Sequence, residues 1–242
     1  GTPVAFRDSA YPATYPSPHE GELFYNSSSG AFQFLGLGAG TWSSGAALNT
    51  AATATKGFGA TIGTSQVNGG APNLTKTEEY NGTAWTEVNN LSTGRAAHAA
   101  FGIATAGIVT GGESPATSYI VDTESWNGTS WTEVNNLNEG RFKLAGVGLQ
   151  GAGLATGGYD GSSYVASNES WNGTSWTEVG DLNDGRTALQ GSGIATAALV
   201  AGGESPGIVG KTETWNGTAW TEVNDLNQAR YTAGMSTNAL NS

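Results

Sequence analysis

The chain has 242 residues, 38 of them glycine, with 12% charged residues and a formal net charge of −11 at pH 7. That charge repels the phosphates of nucleic acids and anionic membranes, and no apolar run approaches the ~20 residues of a membrane span, so neither is expected as a partner. The absence of cysteine excludes disulfide scaffolds, zinc–thiolate sites and cysteine nucleophiles. Abundant glycine with little charge predicts an all-β chain with many turns.

The N-terminal part divides into a proline-rich stretch and two short strand-like segments. Residues 1–20 contain four of the seven prolines and are predicted to form an extended arm or linker. The segments "ELFYN" (Glu22–Asn26) and "AFQFL" (Ala31–Leu35) are predicted strands, and the segment "LGAGTW" ends at Trp42. We interpret these pieces as an incomplete copy of the unit that fills the rest of the chain.

Four near-identical phrases define that unit. Each begins with an aromatic residue and contains Asn-Gly, as in "WNGTSWTEV" at Trp126–Val134, and their second tryptophans recur at intervals of 46, 45 and 44 residues. A Gly-Gly pair precedes each phrase, and a leucine lies six residues after each second tryptophan. The second tryptophans are Trp85, Trp131, Trp176 and Trp220, and the arginines that follow the leucines by four residues are Arg95, Arg141, Arg186 and Arg230.

Each unit contains four strand-like pieces. In the second complete unit they are "FGIATA" from Phe101, "GIVTGG" from Gly107, "DTESW" ending at Trp126 and "TSWTEV" from Thr129. Asn127-Gly128 predicts a two-residue hairpin loop with a type I′ turn, because both positions of that turn need positive φ. With such a loop Trp126 faces Thr129 and Glu124 faces Trp131. Both indoles then lie on one face of the hairpin.

Repeated four-stranded units of this length are typical of β-propeller blades. Four complete units and one split unit predict a five-bladed β-propeller of four-stranded antiparallel blades over residues 21–242. In the split blade, the C-terminal segment Ala229–Ser242 supplies the first strand and the N-terminal segments supply the rest. Pairing of the two termini would close the ring and cover both sheet edges.

Two family resemblances rest on these motifs. The Gly pairs, Tyr119 before Trp126, Tyr164 before Trp171, and the Trp, Leu and Arg series resemble the Kelch repeat, although Kelch units usually carry a longer loop than "NG". This resemblance implies a β-propeller.

The phrases "WNGTSWTEVNNLN", "GGESP" and "EGELFYNSSSGAFQF" resemble repeats of tail-fibre and other virion-surface proteins of marine bacteriophages, over nearly the whole chain. That resemblance implies a component of the virion surface or cell surface that binds or decorates. Its expected location is the virion surface or the extracellular space, and its expected partners are a host surface glycan or protein and other virion proteins. Neither resemblance supplies a catalytic residue.

The repeated residues have structural interpretations as well as functional ones. The paired tryptophans are predicted to form core between blades, the alternative being platforms for carbohydrate. The "NGT" sequences are interpreted as turns, although they match the N-glycosylation sequon. The arginines could form an anion-binding ring, but equal numbers of glutamates predict buried Arg–Glu pairs at blade junctions instead. The glutamates are Glu78, Glu124, Glu169 and Glu213, followed by Glu87, Glu133, Glu178 and Glu222.

Few residues break the symmetry of the repeats, as a single reaction centre would require. His98 is interpreted as structural, and Asp160 in "YDGSSY" is not accompanied by the carboxylates of a calcium site. No Ser-His-Asp spacing, phosphate loop or His pair is present. We therefore predict no enzymatic activity, no catalytic residues, no metal and no cofactor.

The segments after the Gly pairs differ most between units, and recognition commonly lies on loops held by a rigid scaffold. They are predicted to form the binding face, together with the linkers between units. The candidate ligand-binding residues are Glu113, Tyr119, Tyr159, Asp160, Tyr164 and Glu204.

The expected function is that of a non-enzymatic tail-fibre or virion-surface module that binds a host glycan or protein. A purely structural or decoration protein of the phage particle is the alternative. A propeller-type glycosidase or lyase is less favoured, because no symmetry-breaking acid/base pair is present.

Overall fold

The structure is a computed structural model that describes residues 23–26, 31–34, 45–61, 63–116 and 119–231. These residues form antiparallel strands and connecting loops, so the predicted all-β class is confirmed. Within them there is no helix of the length and apolarity that crossing a membrane requires. The chain divides into two compact units, Gly1–Gly45 and Ala46–Ser242.

The first unit contains one described hairpin. Strand β1 (Leu23–Asn26) pairs with β2 (Ala31–Phe34), and Asn26 lies opposite Ala31. The two strands predicted in this region are therefore present over the described residues, and the predicted end residues Glu22 and Leu35 lie outside those residues. The predicted arm (residues 1–20), Trp42 and most of the C-terminal segment lie outside the described residues. The fifth blade and the domain boundaries thus stay predictions.

The second unit contains four antiparallel sheets of four strands each, one for each complete repeat. Within every sheet the strands pair in chain order. The sheets are β3–β6 (Lys56–Thr61, Thr64–Asn68, Thr77–Tyr80, Trp85–Glu87), β7–β10 (Ala99–Ile103, Ala106–Thr110, Thr123–Trp126, Trp131–Val134), β11–β14 (Ala145–Leu149, Ala152–Thr156, Asn168–Trp171, Trp176–Val179) and β15–β18 (Gln190–Ile194, Ala197–Ala201, Thr212–Trp215, Trp220–Val223).

The predicted register of the outer hairpin is wrong by two residues. Trp126 lies opposite Trp131, which makes residues 127–130 a four-residue loop. Gly128 has a φ of 91°, but Asn127 does not have positive φ, so the type I′ turn is also wrong. Instead, the Asn127 side-chain oxygen accepts the amides of Thr129 and Ser130, both at 2.9 Å. A register shift of two residues leaves every side chain on its original face of the hairpin. The indoles of Trp126 and Trp131 therefore still lie on one face, with ring centroids 5.2 Å apart.

Successive sheets stack through their tryptophan faces. The two tryptophans of the second sheet pack with Phe58 of the first sheet, and equivalent clusters join the second sheet to the third and the third to the fourth. Phe58 lies so close to Gly107 that a Cβ there would be 2.1 Å from the ring, and Phe101 covers Gly153 in the same way. At the last junction the smaller Val147 and Ala198 share the core cluster. The predicted interpretation of the tryptophans as core is confirmed for these three sheets.

The first strands of the four sheets lie side by side, in the order β3, β7, β11, β15. A chain of backbone hydrogen bonds joins equivalent residues just before them. Ala97 donates to Ala54 (3.1 Å), Lys143 to Ala97 (2.6 Å) and Ala188 to Lys143 (2.8 Å). All four residues have φ between 52° and 55°. Small residues of these strands border a cavity of about 80 Å³. Neighbouring sheets of the second unit therefore contact one another through their first strands as well as through their tryptophan faces.

Candidate functional site

The Gly pairs start the variable loops. Gly111 and Gly112 have φ of 65° and 101°, a backbone that side chains rarely adopt. Gly111 donates to the Asp122 carbonyl (3.1 Å), and Gly112 donates to the carbonyl of Arg141 in the next linker (2.9 Å). A Cβ on Gly111 would lie 2.8 Å from that Arg141 oxygen. The Gly pairs thus tie each variable loop to the linker that follows its sheet.

Four aromatic residues from two loops and one linker form a continuous cluster. Tyr119 of the second repeat contacts Phe142 and Tyr159 of the third, with centroids 5.7 Å and 6.3 Å apart. Phe142 and Tyr159 are 5.9 Å apart, and Tyr159 is 5.7 Å from Tyr164. Tyr119 is 38% exposed, and the other three side chains are partly exposed. The cluster therefore presents aromatic edges and faces to solvent.

The acidic residues beside the cluster differ in what they can do. Asp160 accepts the amides of Ser162 (2.7 Å) and Ser163 (2.8 Å), and these hydrogen bonds lower the pKa of Asp160 to about 2. Both of its carboxylate oxygens also accept serine hydroxyls, so Asp160 caps its own loop. Glu204, by contrast, accepts the Tyr164 hydroxyl at 3.3 Å. Burial, followed by the charge of Glu204, raises the pKa of Tyr164.

The structure brings most of the predicted site residues together. Tyr119, Tyr159, Tyr164 and Glu204 are linked by direct contacts, and Tyr119 also covers Gly161, next to Asp160. Glu113 follows the Gly pair of the second repeat, as Tyr159 follows that of the third, and its backbone pairs with that of Ala96. Their role in binding stays a prediction.

Phe142 is not among the predicted site residues, although the linkers were predicted to share the binding face, because the candidates were taken from the variable loops. Phe142 follows Arg141, at the position where the two neighbouring linkers carry Ala96 and Thr187 and the last linker carries Tyr231. An aromatic residue that departs from its repeat was the signal that could have found it. Lys143 lies 5.2 Å from the centre of the Phe142 ring and adds a cation at the edge of the cluster.

Three of the repeated arginines are completely buried and pair with glutamate. Arg95 contacts Glu124 at 2.8 Å, Arg141 contacts Glu169 at 3.1 Å, and Arg186 contacts Glu213. In each pair the glutamate lies on the third strand of the sheet that follows the arginine. These pairs confirm the structural interpretation of the three arginines, which are not available as an anion-binding ring. Arg230 is exposed and donates to the Gln228 carbonyl (3.3 Å).

His98 is completely buried at the junction of the first two sheets. Its Nε2 lies 2.7 Å from the Asn68 side-chain oxygen, and its Nδ1 has no hydrogen-bond partner among the described residues. Burial, and then the charges of Arg95 and Lys56, lower the pKa of His98 well below its usual value. The third and fourth sheets carry Leu144 and Leu189 at this position. These facts fit the structural interpretation of His98.

The buried His98 predicts loss of stability at acid pH. The folded state excludes a proton that the unfolded state binds below about pH 6.5, so stability is complete above that pH. Below it, the free energy of unfolding should fall by up to about 1.4 kcal/mol per pH unit, until the lowered folded pKa is reached. The measurement is urea unfolding at several values between about pH 8 and pH 5, the range over which a histidine ordinarily changes its charge.

A double variant built from residues of the other repeats provides the control. His98→Leu with Asn68→Thr copies the Leu144–Thr110 and Leu189–Thr156 residue types and removes the titrating group. Its unfolding should depend less on pH than that of the wild-type protein. Equal pH profiles for both proteins would show that His98 does not control the acid response.

No protein-family model matches the chain, and no curated protein matches it. Among the described residues, no group of three or more His, Cys, Asp or Glu side chains is arranged to hold a metal ion. The aromatic cluster is therefore selected as the candidate site on the basis of its geometry and exposure alone.

Proposed function

We propose that the protein is a non-enzymatic recognition module of a phage virion surface or tail fibre, and that it binds a host surface glycan or protein through the aromatic cluster. One observation carries this proposal. Aromatic side chains from the variable loops of two successive repeats and from the linker between them meet on a repeated scaffold, and they remain partly exposed. Loops on a rigid scaffold are common recognition surfaces.

The chemistry of the cluster suits a saccharide or an apolar side chain. Tyrosine combines an apolar ring with a hydroxyl, so it can stack on a sugar ring and also hydrogen-bond to it. The rings are tilted by 47° to 83° against one another, which creates steps rather than one flat platform. Glu204 and Lys143 add charged groups at the two sides of the cluster.

The scaffold that we propose is a five-bladed β-propeller. Four sheets stack in order through their tryptophan faces, and their first strands lie side by side. In the first unit, β1 and β2 also pair as antiparallel strands. In the proposal these strands and the C-terminal segment complete the fifth blade. The resemblance to Kelch repeats and to marine phage tail-fibre repeats supports both the scaffold and its location on a virion.

Binding should depend on the exposed ring of Tyr119. Tyr119→Ala is expected to weaken binding at least tenfold, about 1.4 kcal/mol, because exposed aromatic anchors carry much of the binding energy. The measurement is a glycan array and a host-cell pull-down with the wild-type protein, followed by titration of the best ligand. The cluster lies beyond the Gly-pair end of the sheets, so Leu149→Ala makes a matched control. Leu149 is 53% exposed and lies at the opposite end of its sheet.

Three outcomes separate the functional classes. Loss of binding in Tyr119→Ala but not in Leu149→Ala supports recognition by the cluster. Copurification with a virion, with no binding to any glycan or host cell, favours the structural or decoration role. Release of reducing sugar from a host polysaccharide, lost when His98 or Asp160 is replaced, would show a glycosidase or lyase and overturn the non-enzymatic proposal.

A further inference from the structure

The first sheet lacks the buried arginine of the other three. The linker before it reads "LNTAA" (Leu48–Ala52), where the next linkers read "LSTGR", "LNEGR" and "LNDGR". Ala52 therefore stands where Arg95, Arg141 and Arg186 stand in the following repeats. The glutamate that pairs with each of those arginines is nevertheless retained, as Glu78 on β5.

The second sheet shows which atoms bind the guanidinium. Arg95 donates to Glu124 Oε1 at 2.8 Å and to the carbonyls of Asp122 (2.7 Å) and Gly111 (3.3 Å). The same glutamate also accepts two linker amides, Ser92 on Oε2 and Thr93 on Oε1. The Thr93 carbonyl also accepts the Arg95 Nε–H, at 3.4 Å, so one carboxylate and three backbone carbonyls surround the cation.

The first sheet contains the same acceptors without the arginine. Glu78 is 4% exposed, and it accepts the Asn49 amide on Oε2 (2.7 Å) and the Thr50 amide on Oε1 (2.8 Å). These two bonds repeat those of Glu124, and the Asn49 side-chain amide adds a third bond to Oε2 at 3.0 Å. Among the described residues, Oε1 of Glu78 accepts one amide, whereas Oε1 of Glu124 accepts an amide and Arg95. The equivalent carbonyls are those of Gly69 and Lys76, whose backbones are joined by a hydrogen bond as in Gly111 and Asp122.

A small cavity lies among these acceptors. Its volume is about 10 Å³, and its lining combines the acceptor-bearing residues Gly69, Lys76 and Glu78 with Ala52, two threonines and three apolar side chains, Leu48, Val67 and Leu74. This is about the space that one water-sized particle needs. The ammonium group of Lys76 does not neutralise Glu78, because it is paired with Glu87, and both of those side chains are more than one third exposed. The cavity thus borders the Glu78 carboxylate as well as apolar side chains, and among the described residues no cationic side chain pairs with Glu78.

We propose that this cavity binds a water-sized monovalent cation, ammonium or potassium, in place of the missing guanidinium. Oxygen ligands and one carboxylate suit a hard cation of single charge, whereas calcium usually takes six to eight oxygen ligands, including several carboxylates. A free guanidinium ion is too large for the volume. The cation neutralises Glu78 inside the protein, as arginine does in the next three sheets, so an unpaired buried charge is avoided.

The test compares thermal unfolding of the full chain in ammonium, potassium and choline chloride at equal ionic strength. A cation that binds the folded state alone raises the unfolding temperature, by about 4 °C at tenfold excess over its Kd for a domain of this size. The wild-type protein should show this rise in ammonium or potassium relative to choline, which does not fit the cavity. Ala52→Arg supplies a tethered cation, so it should unfold at a higher temperature in choline and lose the dependence on the cation.

Controls separate the site from general salt effects. Ala219→Arg adds the same charge at an exposed hairpin loop and should keep the wild-type cation dependence. Glu78→Gln should reduce the dependence even if Ala52→Arg fails to fold. Equal responses to all three salts in the wild-type protein, or an unchanged response in both site variants, would overturn the proposal. In crystals grown with rubidium chloride, anomalous density is expected beside Glu78 Oε1. The absence of that density would also contradict the proposed cation site.

Discussion

Replacing Trp126 with alanine is expected to lower the free energy of unfolding by about 3–5 kcal/mol. The Trp126 side chain has no exposed surface, and it packs with Phe58, Val109 and Trp131 between the first two sheets. Its indole N–H also donates to the Ala104 carbonyl at 3.0 Å. Alanine would leave a cavity at the junction and a carbonyl without its donor. Urea unfolding followed by far-UV circular dichroism measures the loss.

The first repeat provides a matched control for this variant. Tyr80 is the counterpart of Trp126, and it is only partly buried, with its ring 5.1 Å from that of Trp85. Tyr80→Ala should therefore lower the free energy of unfolding by about 1 kcal/mol, near the average for a point mutation. A loss as small for Trp126→Ala as for Tyr80→Ala would contradict the assignment of the repeated tryptophans to the core.

Replacing Arg95 with methionine should also lower the free energy of unfolding by about 3–5 kcal/mol. Methionine keeps the apolar stem but leaves the buried Glu124 carboxylate without its cation. It also removes donors from the carbonyls of Gly111 and Asp122. Burial lowers the pKa of Arg95, and the Glu124 carboxylate opposes that shift. The measurement is urea unfolding at neutral pH.

A double variant shows whether the cost comes from the unpaired charge. Arg95→Met with Glu124→Gln removes both charges, so its loss should be smaller than the sum of the two single losses. Arg230→Met, at an exposed arginine, should change stability by no more than about 0.5 kcal/mol. Additive losses in the double variant would show that Arg95 and Glu124 do not stabilise each other.

Much of the fold could be predicted because its signals are local. The interval between tryptophans, the Gly pairs and the alternation along strands predicted four-stranded units, and all four complete units form such sheets. The hairpin register could not be predicted from Asn-Gly alone. The Asn127 side chain caps a four-residue loop, and this competes with the two-residue type I′ turn.

Prediction of the candidate site was less complete. Sequence variation between repeats pointed to the loops of Tyr119, Tyr159 and Tyr164, which the structure brings together. The same reasoning gave Asp160 a ligand-like role, whereas its carboxylate is occupied by its own loop. Residue type alone did not distinguish a carboxylate that caps a turn from one that faces solvent.

The sequence by itself determined the four complete repeated units, the number of strands in each of them and the positions where glycine is required. These properties depend on neighbouring residues, through backbone conformation and the alternation of side chains. The tertiary structure alone decided which glutamate each arginine pairs with, that Phe142 joins the tyrosines, and that Glu78 lacks an arginine beside a cavity. Those contacts join residues some 15 to 45 positions apart, as in Arg95 with Glu124 and Tyr164 with Glu204. They form when one sheet stacks on the next, and local sequence patterns do not encode that stacking.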